Sequence, residues 1–222
     1  MELKLGTNKV ITLTPWKSKT KKDFIKLFKE KEDKVSEEDI INVLVMPYIS
    51  DTKAYYSPDE IQYILVELRK LSIDEEIAFS LDCDKCGEVI DIDTTLTEIT
   101  DYTPNKFPIE TGNVQWRDLP NKDSLKKVIK KYPAEPPRNL QTLLHMSHFQ
   151  GQPVTSIDEI MEKVDNLSLK EDNELLENFE SVQSIIKISK IIKCNNKDCK
   201  FEKDYIFDVI PTFYDPLLPK DM

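Results

Sequence analysis

Glycine is nearly missing from this sequence, with four among 222 residues. That scarcity excludes motifs that cradle phosphate on clustered glycines, such as the dinucleotide fingerprint and the P-loop. Histidine is scarcer still, at His145 and His148 alone, and no Ser, His and acid set suggests an activated nucleophile. No stretch approaches the roughly 20 apolar residues of a membrane span. Residues Met1 to Lys9 lack the apolar core of a signal peptide, so the expectation is a protein that stays in the cytoplasm where it is made. Positive charge is also in deficit: 31 Lys and Arg stand against 41 Asp and Glu, a formal charge of −10. Such a surface repels phosphate at long range and disfavours nucleic acid and anionic membranes as partners.

Hydrophobic residues make up 39% of the chain, enough to bury a core, and the length suits one domain over 1–222. Two short strands, Glu2 to Leu5 and Val10 to Leu13, flank Gly6-Thr7-Asn8 as a hairpin. Thr20 to Glu32 reads as an amphipathic helix with Phe24, Ile25, Leu27 and Phe28 on its apolar side. Ser57/Glu60, Ser156/Glu159 and Ser168/Glu171 have the spacing at which a hydroxyl and a carboxylate cap a helix start reciprocally, and Ser36/Asp39 is a weaker version. The helix from Ser36 should stop near Pro47, and Pro58 suits the first helical position after Ser57. Further helices are predicted around Ser124 to Lys131, Leu140 to His148, Ile157 to Val164 and Leu169 to Glu180, with an edge strand near Val114 to Trp116.

Residues 77–97 and 185–209 each show period-two apolarity on both sides of a tight turn, which reads as two β-hairpins. Each turn carries a cysteine pair: Cys83 and Cys86 in the first, Cys194 and Cys199 in the second. In a reduced compartment these Cys-x2-Cys and Cys-x4-Cys pairs match a tetrahedral all-thiolate site for structural Zn²⁺. Gly87 supplies permissive backbone after the first pair, and Asn195 or Asn196 can take a left-handed conformation in the second. Lys85, Lys193, Lys197 and Lys200 lie close in sequence to offset the site's charge of about −2. The alternatives are four small buried residues or two disulfides, but a disulfide within so short a turn is strained. A redox Cys-x2-Cys lacks its βαβ context here, and four thiolates leave no open position for a catalytic metal. The predicted class is α+β, with a discontinuous zinc-ribbon-like module at 77–97 plus 185–210 and a helical insertion at 120–182.

Other features carry less. His145 and His148, three residues apart on the predicted helix, could form a metal pair but fit a helix surface or core edge better. The eight lysines from Lys17 to Lys34 are interleaved with acids and read as a solvated helix face, while Lys122 to Lys131 is the denser basic patch. Trp16 and Trp116 suit either core or interface. The proline-studded apolar stretch from Ile210 to Pro219 either packs back on its own domain or docks on a neighbour.

Taken in order, the N-terminal hairpin running into Pro15-Trp16, the stretch Tyr63 to Glu76 (YILVELRKLSIDEE), the Cys83/Cys86 pair and the second cysteine pair form a set. In this set the chain resembles the baseplate hub proteins of T-even-like contractile-tailed bacteriophages. It departs from their pattern at Asp74, where glycine is usual, and in the four residues between Cys194 and Cys199, where two are usual. The resemblance implies a non-enzymatic role in building the tail baseplate hub in the host cytoplasm during assembly, with the protein then either staying in the virion tail baseplate or leaving after assembly. Its implied partners are other hub and tail proteins and the tape-measure protein. The cysteine hairpins alone would also permit a zinc-ribbon nucleic-acid-binding regulator, which the acidic charge disfavours.

Overall fold

A computed structural model describes residues 1–31, 34–119, 121–133 and 137–207, and the architecture is α+β. The stretch from Ile210 to Pro219 lies outside the described residues. The first hairpin forms as its sequence predicts, with β1 (Glu2–Lys4) antiparallel to β2 (Val10–Thr12). Then come α1 (Ser18–Lys31), α2 (Glu37–Leu44) and α3 (Pro58–Ser72). Ser57 caps α3 reciprocally with Glu60, and Pro58 sits at its first position. The weaker signal at Ser36 and Asp39 is a complete capping box as well, because a short aspartate still reaches back to the cap amide.

Beyond α3 the cysteine hairpin is built from β3 (Glu76–Asp82) and β4 (Val89–Thr95), in register from Glu76 opposite Thr95 to Asp82 opposite Val89. The turn into β3 is held by Arg69, which is buried and donates to the carbonyls of Asp74 (2.8 Å) and Glu76 (3.4 Å). Asp74 does not take a left-handed conformation, so its departure from glycine costs no backbone strain. A short helix, α4 (Leu96–Ile99), leads into β5 (Thr100–Thr103). These elements close around one core that includes Leu5, Phe24, Leu44, Ile64, Leu68 and Leu96, with Trp16 packed against it. The Trp16 indole donates to the Leu44 carbonyl at 2.7 Å, so Trp16 is a core-edge residue with its polar tip satisfied.

A second core is folded from the residues between β5 and β10 (Ile185–Lys193), two strands that pair antiparallel with Thr103 opposite Ile185. That pairing closes the insertion at both ends, so it begins near residue 104 and not at 120. Nor is it only helical. The order β6-β7-β8-β9 joins β6 (Ile109–Thr111), β7 (Val114–Trp116), β8 (Met146–Phe149) and β9 (Gln152–Pro153) in one antiparallel sheet. The expected edge strand at Val114 to Trp116 is thus an inner strand, and Trp116, 1% exposed, is a core residue beside Phe179. Covering helices are α5 (Lys122–Lys131), α6 (Pro137–His145), α7 (Ile157–Asp165) and α8 (Leu169–Val182).

The helix predicted through His148 ends at His145, and Met146 to Phe149 continue as a strand. Local apolar periodicity could not separate the two states, because the buried run Leu143 to Phe149 lacks a breaker. Of the three serine caps, Ser168 is reciprocal with Glu171, whereas Ser156 only accepts from the Glu159 amide. The Glu159 carboxylate is drawn away to Thr155 (2.6 Å) and Lys163 (2.7 Å).

Candidate metal centre

The second cysteine hairpin pairs β10 with β11 (Glu202–Ile206), in register from Ser189 opposite Ile206 to Lys193 opposite Glu202. Its inner face meets that of β3 and β4, and a small apolar cluster of Ile90, Ile92 and Ile192 forms between them, with Phe79, Phe201 and Tyr205 against it. At the end of this cluster the turns meet. The four sulfurs of Cys83, Cys86, Cys194 and Cys199 all lie within 4.8 Å of one another.

Two sulfur contacts run between the hairpins: Cys83 to Cys199 at 3.7 Å and Cys86 to Cys194 at 3.6 Å. A tetrahedron of sulfurs about 2.3 Å from a central zinc has edges of about 3.8 Å, so this spacing is that of a ligand set. A disulfide would need about 2.05 Å, and all four cysteines are free thiols. Cys83 and Cys199 are buried while Cys86 is exposed, which leaves the site shielded on one side and open on the other.

Each turn aims its sulfurs by a local device. In the first, the Cys83 amide donates to Glu88 (2.8 Å) and Gly87 donates back to Cys83 (2.9 Å), with Gly87 at φ +72°. In the second, Cys194 donates to Phe201 (2.9 Å), and the left-handed residue is Lys200 at φ +47°, not Asn195 or Asn196. Gly87 and Lys200 both directly follow the second cysteine of their pair, so the two turns reverse at the same step. Lysine in this conformation is strained by about 1 kcal/mol. Lys200→Gly is therefore expected to raise stability by a few tenths to 1 kcal/mol in thermal unfolding, and Gly87→Ala to lower it by a similar amount.

Backbone amides support negative sulfur. Burial pushes the Cys83 thiol up, but hydrogen bonds from the Lys85 and Cys86 backbone and from neighbouring thiols outweigh it and hold it at about 7. Burial and the Cys86 and Cys83 sulfurs push Cys199 to about 12. Four close thiols cannot all ionise unless a cation joins them, and this divergence expresses that conflict. Of the expected lysines, Lys85 reaches across the hairpins to the Cys199 carbonyl (2.9 Å), and Lys193 pairs with Glu202 (3.2 Å). Lys203 to Asp84 at 2.8 Å is a second bridge between the hairpins.

The two histidines are not a pair. His148 lies on β8 opposite Pro153 and Gln115, while His145, 2% exposed at the end of α6, stacks on Phe107 with centroids 4.8 Å apart. His145 Nδ1 bonds the Arg117 carbonyl at 2.7 Å, which assigns that nitrogen its proton. Burial holds the ring well down, at about 4 against an ordinary 6.5. A group that is harder to protonate when folded costs stability as pH falls through 6.5 towards 4. The expected loss from His145 is about 3 kcal/mol between pH 7 and pH 4. His145→Gln should flatten that slope in urea unfolding, and an unchanged slope would remove His145 as its source.

A buried polar knot was not legible in the sequence. Glu60, 1% exposed, accepts from Lys9 (2.8 Å), Asn105 (2.8 Å) and the Ser57 amide (2.9 Å). Gly6 is bound into the same knot, since a Cβ there would come within 2.4 Å of the Asn105 side chain. The capping pattern marked Glu60 as a helix-start residue but carried no sign of its burial.

The sequence pattern described as T4 bacteriophage base plate protein matches residues 1–215. The chain belongs to this family. Comparison with curated proteins and with solved structures gave no match. A T4 base plate protein is a structural component of a phage tail, and interaction with other tail or baseplate proteins follows from membership. Among the described residues no helix is long and apolar enough to cross a membrane.

Proposed function

We propose that this member of the T4 base plate family is a non-enzymatic hub component of the tail baseplate, stiffened by one structural Zn²⁺ on Cys83, Cys86, Cys194 and Cys199. The single observation that carries the metal is the meeting of four sulfurs within 4.8 Å from hairpins more than a hundred residues apart. Four thiolates fill a tetrahedral sphere, so the ion serves architecture and not catalysis. It ties the strands that leave the second core back to β3 and β4 beside the first. Hub placement is supported by the likeness of the ordered features from Pro15-Trp16 through the cysteine pairs, and the partners are other hub and tail proteins.

A nucleic-acid role is not favoured. The chain's net charge is −10, and two lysines of its best basic patch already face acids, Lys126 at Glu38 (3.1 Å) and Lys131 at Asp158 (2.8 Å). The test is purification of tagged protein from phage-infected cells with metal measured on the same sample. Co-elution with tail proteins and about one zinc per chain is the expected result. Zinc-free protein in intact tails would overturn the metal, and tails lacking the protein would overturn the hub role.

A further inference from the structure

A cleft in the second core lies between α8 and the two tight turns of the four-stranded sheet, with a volume of about 150 Å³. Its floor is apolar: Val114, Phe149 and Leu175 are each 3–6% exposed. Around it stand the side-chain amides of Asn113, Gln150 and Asn178, which make no hydrogen bond among the described residues. Gln150, which lines the cleft, holds φ +50°, a conformation that costs a non-glycine residue about 1 kcal/mol. On the far wall are Glu171 and Glu174. They belong to a helix with five carboxylates, Glu171, Asp172, Glu174, Glu177 and Glu180, against one cation, Lys170. Lys170 meets Glu174 only at 3.7 Å and at the exposed surface, a pairing worth little.

We propose that this cleft is a docking groove for an extended segment of another baseplate protein that presents a lysine or arginine. The chemistry selects each part of that description. An amide side chain offers one acceptor and two donors, which matches the free C=O and N–H of an extended backbone and not those of a helix, whose groups are already paired. The volume suits one long side chain, whose methylene stem covers Val114, Phe149 and Leu175 while its cationic head reaches Glu171 and Glu174. An acidic wall on a chain of net charge −10 rejects acidic segments and speeds encounter with basic ones. The proposal rests on membership of the baseplate family, not on hub placement or on the metal.

The experiment is photo-crosslinking in phage-infected cells, with a benzophenone amino acid at Asn113 on the groove rim and, as control, at exposed Glu30 on α1. The crosslinked peptides are then sequenced by mass spectrometry. Crosslinks from Asn113 at least tenfold above Glu30, to one segment of another tail protein with a lysine or arginine, are expected. Adding Glu174→Lys should cut that yield at least fivefold, while Glu174→Asp keeps most of it. Equal yields from both positions, a segment without a basic residue, or capture of a second copy of this chain or of its own residues 208–222 would each overturn the proposal. Protein present in purified tails but silent at Asn113 refutes the groove alone, whereas absence from tails refutes the baseplate role itself.

Discussion

Cys83→Ser is expected to lose the bound zinc and to lower stability by about 5 kcal/mol. The figure comes from linkage, since an ion held by the folded site and released on unfolding adds RT ln(1 + [Zn²⁺]/Kd) to stability, about 4 kcal/mol at a thousandfold excess of zinc over Kd and about 5 kcal/mol at a roughly five-thousandfold excess. The loss should be graded along the hairpins. Their roots are anchored independently, with Ile77, Leu96, Ile188 and Phe207 buried in the first core, whereas the small cluster at Ile90, Ile92 and Ile192 depends on the joined tips. A chelator should therefore first release amide protection around residues 81–90 and 192–203, before the N-terminal helices open. Cys86→Ser, at the exposed corner, should show the same loss of metal. If hydrogen exchange and melting temperature are indifferent to both chelation and Cys83→Ser, the four thiols are ordinary buried residues and the metal is refuted.

Lys9→Met is expected to destabilise by about 3–5 kcal/mol at pH 7, because it leaves the Glu60 carboxylate buried without its cation. Burial already raises Glu60 above the ordinary carboxylate range, and the attraction of Lys9 only partly offsets this. The sign of the pH dependence follows. A carboxyl that holds its proton more tightly when folded makes the protein lose stability as pH rises above its unfolded value of about 4.3. Removing Lys9 widens that gap, so the deficit of the variant should shrink on acidification towards pH 4 as Glu60 protonates. The double variant Lys9→Met/Glu60→Leu, which removes both charges, should recover most of the loss. A Lys9→Met deficit below 1 kcal/mol in urea unfolding, or one independent of pH, would mean that water reaches Glu60.

Several parts of the fold were readable residue by residue. The Ser57/Pro58/Glu60 start of α3, the N-terminal hairpin and both cysteine hairpins depend on neighbours within a few positions, and short-range patterns record such contacts faithfully. Short-range pattern is silent where the partner is distant. Val114 to Trp116 carries the same pattern whether it lies at an edge or inside a sheet, and only the arrival of β8 makes it an inner strand. The run ending in Phe149 is a strand because β7 accepts it, a choice that its own apolar periodicity does not encode. Trp16 and Trp116 were ambiguous for the same reason, since an aromatic residue does not announce what will cover it.

The cysteine spacing by itself determined that two turns could each aim a pair of sulfurs at one point, and the acidic composition by itself argued against a phosphate-binding surface. Only the tertiary structure decided that those points coincide, that Glu60 is sealed beneath Lys9 and Asn105, and that a cleft opens beside α8. The physical reason is range. Turn geometry and net charge are sums over adjacent or independent residues, whereas a shared coordination sphere, a buried ion pair and a groove exist only once remote segments have met.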